Sequence, residues 1–69
     1  MADMGKLKEI IADSGLKKVF IAEKLGISYQ GYLKKENGNS EFMANEIAIL
    51  KDLLKLSDKE VTQIFLLQK

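Results

Sequence analysis

The sequence predicts an all-α fold that forms one domain across residues 1–69, and three observations lead there. Apolar residues recur at three- and four-residue spacing nearly throughout, β-branched alternation is scarce, and proline is absent. Leu7, Ile10 and Ile11 line one face of a first helix, which Ser14-Gly15 ends by offering a left-handed stop. A second helix starts near Lys17 or Lys18 with Ile21, Ala22 and Leu25 as its apolar set. Gly26 is its stop, Ile27 an apolar plug, and Ser28 the N-cap of a short third helix from Tyr29 to about Lys35. Glu36-Asn37-Gly38-Asn39-Ser40 reads as a loop, because Asn and Gly tolerate positive φ and Asn and Ser bond their own backbone. Phe42 then anchors the chain to the core. Ile47, Leu50 and Leu54 make a stripe on a fourth helix from about Ala44 to Leu54. Ser57-Asp58-Lys59-Glu60 has the form of a capping box and opens a fifth helix, with Val61, Ile64 and Phe65 facing inward. No internal repeat or linker interrupts this order.

Composition narrows the chemistry. Neither cysteine nor histidine occurs, which excludes disulfides, thiolate nucleophiles, imidazole bases and the usual zinc ligands together. The acids are scattered over helix surfaces, and no phosphate-cradling glycine loop or nucleophile with a base is visible. An enzyme is therefore not expected, nor a cofactor, a metal or a small-molecule substrate. No apolar run approaches the roughly 18 residues of a membrane helix, and Met1 to Lys8 lacks the apolar stretch of a signal peptide, so a cytoplasmic protein without a membrane partner is expected. The formal net charge is +1, yet all basic residues are lysines and they are unevenly placed. Residues 1–35 carry seven lysines against four acids, and residues 36–69 four against six. The N-terminal half is the better face for a polyanion, with ordinary solvated helix surface as the plain alternative.

The segment Lys18 to Asn37, KVFIAEKLGISYQGYLKKEN, resembles the helix-turn-helix of phage repressors and Cro-like regulators. The resemblance rests on Ala22, Gly26, Ile27 and Ser28 in the order A-x-x-x-G-I-S, with Ile21 and Leu25 apolar on the first helix and Tyr32 on the second. A small residue at Ala22 lets two helices approach, Gly26 supplies positive φ without a Cβ clash, and Ile27 plugs the angle between them. The flanking order, one helix before and two after an Asn-Gly loop, is similar to that family's five-helix λ-repressor-like domain over about residues 4–67. The chain departs from the family at Lys35 and Glu36, where an apolar residue is usual, and at Leu33, where a polar one is usual. A shorter or rotated third helix is expected from that departure. Gly31 in its middle costs up to about 1 kcal/mol of helix stability relative to alanine.

The resemblance implies a DNA-binding transcriptional regulator, a short repressor that occludes a promoter. The third helix would lie in the major groove of double-stranded DNA with Ser28, Tyr29, Gln30, Leu33 and Lys34 towards the bases. Gln30 can pair with adenine, Lys34 can donate to guanine, and Tyr29 or Leu33 can pack on a thymine methyl. With arginine absent, A·T contacts should be prominent. Lys17, Lys18, Lys35, Asn37, Asn39 and Ser40 would contact the phosphate backbone. The plainer readings are solvated surface for the lysines and Gln30, partial burial for Tyr29, and turn formation for Asn37 and Asn39.

One module this small buries too little surface for operator affinity, so a weak twofold homodimer on a pseudo-palindromic operator is expected. Phe65, Leu66 and Leu67 are three successive apolar residues that one helix cannot turn into its own core, which makes them the candidate dimer patch; a longer core helix is the alternative. Phe20 is either core or partner-facing. A second functional reading, from a different class, is a protein-interaction module that keeps the fold and binds a regulatory protein instead of DNA. Near-neutral charge, the missing arginines and the unusual end of the third helix favour it.

Overall fold

A computed structural model describes residues 3–66, and within them the chain is all α: α1 (Met4–Ser14), α2 (Lys18–Leu25), α3 (Tyr29–Glu36), α4 (Ala44–Leu54) and α5 (Asp58–Phe65). No strand occurs among the described residues, and no helix among them is long and apolar enough to cross a membrane.

The helix starts and stops obey local chemistry. Asp3 caps α1 by accepting a hydrogen bond from the Lys6 amide at 3.0 Å, and its own amide donates to the Ile64 carbonyl, which ties the chain's beginning to α5. Gly15 ends α1 in the left-handed region. Ser57 and Glu60 form the expected capping box at α5, each side chain accepting from the other residue's amide. Lys55 supplies the left-handed stop of α4 at φ 58°, a position the sequence did not advertise because glycine is the usual occupant.

The core is one cluster with a contribution from every helix: Leu7 and Ile11, Ile21, Ala22 and Leu25, Tyr32, Leu50, Ile64 and Phe65. Phe42, between α3 and α4, is buried as expected, its ring 6.2 Å from that of Tyr32 and edge-on to Phe65 at 5.6 Å. Leu56 joins the core from the turn before α5. Ile10, Ile47, Leu54 and Val61, all expected inside, are half-buried and pack against this cluster. Phe20 is half-buried too, with the Lys24 ammonium 5.3 Å above its ring.

Two expectations need correction. Glu36 is not a loop residue: it is the last residue of α3, and only 1% of it is exposed. The third helix is accordingly neither shortened nor cut off at Lys35. Phe65 is a core residue at 4% exposure, as its expected inward facing requires, and so drops out of the candidate dimer patch; its ring packs on Phe42 instead. Leu66 beside it stands open at 69%, and Leu67 lies outside the described residues.

Candidate nucleic-acid interface

The candidate surface is carried by α2, the turn Gly26–Ser28, and α3. Gly26 has φ 74° and ψ 26°, and its amide together with that of Ile27 returns to the carbonyls of Glu23 and Ala22, closing the last turn of α2. Ile27 is half-buried against the core, and Ala22 is buried where α2 meets the rest of the molecule. Ser28 is extended, and its Oγ accepts from the Gly31 amide at 3.0 Å, so α3 begins with a satisfied cap. A Cβ at position 31 would stand only 3.0 Å from that Oγ, which is a local reason for a residue that weakens the helix.

The two sides of α3 differ sharply. Tyr32 and Glu36, one turn apart, point inward and are buried. Gln30 and Lys34 are exposed on the other side, and Ser28 and Tyr29 are exposed at the helix start, Tyr29 on the same side as Tyr32 and Glu36 but ahead of the buried turn. Leu33 is half-buried and shares its contacts between core and surface. Lys17, Asn37, Asn39 and Ser40 are exposed as well, Lys17 just before α2 and the other three in the loop after α3. The loop after α3 is held by backbone bonds: the amides of Asn37, Gly38 and Asn39 donate to the carbonyls of Leu33, Lys35 and Lys34.

Lys18 and Lys35 occupy a different environment from Lys17 and Lys34. The Lys18 Nζ donates to Glu36 Oε1 at 2.8 Å, and the Lys35 Nζ donates to Glu46 Oε1 at 2.7 Å. Glu36 Oε2 accepts from the Tyr32 hydroxyl at 2.8 Å, and Glu46 Oε1 also accepts from the Met43 amide at 2.7 Å. Both carboxylates are buried, and every buried side-chain oxygen or nitrogen among the described residues has a hydrogen-bond partner. Burial first, then the hydrogen bond to Glu36 and its charge, push the Tyr32 phenol well above the ordinary tyrosine range. Among the described residues, Lys17 and Lys34 enter no ion pair.

Sequence reasoning missed the two buried carboxylates. A signal was present for Glu36, which comes four residues after the inward Tyr32 and so shares its face. For Glu46 the signal was its place three residues after Met43, where a glutamate bonds back to the N-cap amide.

The surface can do three things chemically: offer hydrogen-bonding and apolar side chains at the start of an exposed helix, offer ammonium groups near it, and offer the polar side chains of Asn37, Asn39 and Ser40 in the loop after it. Comparison with family models, with curated proteins and with solved structures returns no match to the chain.

Proposed function

We propose that this chain is a sequence-specific double-stranded DNA-binding regulator that reads bases with α3 and acts as a small repressor by covering a promoter. The observation that carries this reading is the division of α3. Tyr32 and Glu36 anchor one side, while Gln30 and Lys34 project from the other and Tyr29 is exposed at the capped helix start. A short helix held from behind with amide, phenol and ammonium groups at its free surface matches what base edges in a major groove require. Lys17, with its exposed ammonium at the start of α2, and the polar loop Asn37–Ser40 would hold phosphates. The cell interior is the compartment this reading implies, and Leu66 the residue through which two copies would meet on paired half-sites.

Selection from random duplex DNA at near-physiological salt tests it. A palindromic consensus is the expected result, and Gln30→Ala should relax preference at one base pair. Recovery of no preferred sequence would defeat the proposal.

One observation favours the second reading, a protein-interaction module. With Lys18 and Lys35 engaged by carboxylates, few ammonium groups beside α3 are left to meet phosphates. A reader that neutralises several phosphates loses affinity steeply as salt rises, so shallow or absent salt dependence would select that reading.

A further inference from the structure

We propose that Glu36 and Glu46 are positioning residues of α3, and that Lys18 and Lys35 serve them as partners instead of binding phosphate. The functional half of this rests on α3 being the DNA-reading helix; the structural half does not.

The geometry is specific about direction. Glu36 has two oxygens with two different partners, the Lys18 ammonium from α2 on Oε1 and the Tyr32 hydroxyl from α3 itself on Oε2. That arrangement fixes the carboxylate plane, and with it the rotation of α3 about its own axis relative to α2. Lys35, the residue before Glu36, leaves α3 in another direction and reaches Glu46 in the first turn of α4. Glu46 is itself held by the Met43 amide, so the carboxylate that receives the lysine has a second partner of its own. α3 is thus tied at its C-terminal end to α2 and to α4. Apolar contacts tolerate small rotations because they are non-directional; these hydrogen bonds do not. A rotation by one residue, about 100°, would break both anchors and would carry Gln30 and Lys34 off the exposed side.

The same burial argues against phosphate binding by Lys18 and Lys35. The side chains of Glu36 and Glu46 are 2% and 6% exposed. An ammonium that leaves either of them for a phosphate strands a buried carboxylate without its cation, which is costlier than any gain at a solvated phosphate. Lys17 and Lys34 have no such obligation.

The test uses the full chain and two readouts. The first compares Lys18→Met and Lys35→Met with Lys17→Met on the selected duplex and on a duplex of random sequence. Loss of a phosphate contact lowers the salt slope by about one unit and weakens all sequences alike. Loss of positioning leaves the slope unchanged and lowers the preference for the selected duplex, by about tenfold for each 1.4 kcal/mol of misplacement. Lys17→Met should do the former, and Lys18→Met and Lys35→Met the latter. A salt slope reduced by one unit in either of those two overturns the proposal.

The second readout needs no DNA: amide hydrogen exchange in α3, referred to α5 as internal folding control, for Glu36→Gln, Glu46→Gln and Lys18→Met. Exchange at Leu33 to Glu36 should accelerate at least about tenfold while Ile64 and Phe65 keep their protection. Unchanged α3 protection also overturns the proposal. Should Glu36→Gln fail to fold, Lys18→Met decides, since it removes the partner whose stem is already partly in water. A chain that binds no duplex yet shows the selective α3 acceleration loses the DNA reading and keeps the positioning device.

Discussion

Two turns in this molecule are built alike and lead to different ends. Gly26-Ile27-Ser28 joins α2 to α3, and Lys55-Leu56-Ser57 joins α4 to α5. Each begins with a left-handed residue, φ 74° at Gly26 and 58° at Lys55, and continues with an apolar residue packed inward. Each ends with an extended serine whose Oγ accepts from an amide three residues on. The apolar residue's amide returns to a carbonyl five residues back in both, Ala22 in one and Lys51 in the other. Even a lysine–carboxylate pair spans each helix pair: Lys18 with Glu36, and Lys51 with Asp58. The difference lies in the helix that each turn opens. In α5, buried Ile64 and Phe65 face the core; in α3, the core side carries a phenol and a carboxylate, and the open side carries Gln30 and Lys34. Turn geometry therefore does not distinguish the two helices; the side chains beyond it do.

The plugs should separate the two turns most. Leu56 is 6% exposed, whereas Ile27 is only half-buried. Leu56→Ala should cost about 2–5 kcal/mol, the range for a buried leucine that leaves a cavity, and Ile27→Ala distinctly less. Chemical denaturation of the two variants measures the gap, and equal losses would mean that the plugs bear alike on the core.

Next is the left-handed residue of the first turn. A Cβ on Gly26 would meet nothing within 4 Å, so Gly26→Ala tests conformation without a clash. The expected loss is about 1–2 kcal/mol, the cost of the left-handed region for an L-residue. A variant that melts like the native chain would show that this turn can relax into another conformation.

The inner sides of α3 and α5 should also part with pH. Tyr32 is completely buried and hydrogen-bonded to Glu36, so its phenol stays protonated in the folded chain where an unfolded one ionises near 10. A folded-state value above the unfolded one means that stability is fully present below about pH 10 and is lost as pH rises beyond it, by up to about 1.4 kcal/mol per unit. Denaturant unfolding at about pH 9 to about pH 11.5 should show that decline, and Tyr32→Phe should remove it in the same range. Ile64 and Phe65 offer α5 nothing that titrates. If Tyr32→Phe and the native chain keep a constant stability difference across the range, the phenol is not protected as described.

This contrast also explains what could be read from the sequence. The helices, the stops at Gly15 and Gly26, the caps at Ser28 and Ser57, and the anchor at Phe42 all obey local rules that need only neighbours a few residues away. The open side of α3 was legible for the same reason: with Tyr32 inward, helical spacing turns Gln30 and Lys34 outward. Glu36 and Glu46 were not legible, because a periodicity argument treats every charge as solvated, and their burial depends on cations 18 and 11 residues away. Which lysines face solvent and which are engaged by carboxylates is a tertiary fact. The exposed Lys17 and the engaged Lys18 are adjacent in sequence and indistinguishable in it.

The smallest effect should appear at Lys55, and with the opposite sign. Lys55 is the one described non-glycine residue at positive φ, and it performs the task that Gly26 performs in the other turn. Its side chain enters no ion pair among the described residues, so replacement loses no charge partner. Lys55→Gly removes the left-handed penalty but enlarges the freedom of the unfolded chain, and these oppose each other. The left-handed penalty for an L-residue is somewhat the larger, so a net gain of at most about 1 kcal/mol is expected, measured by the same denaturant unfolding. If instead Lys55→Gly destabilises the chain, the lysine stem contributes packing across the α4–α5 turn that outweighs its backbone strain, and the two turns are less alike than their backbone angles make them.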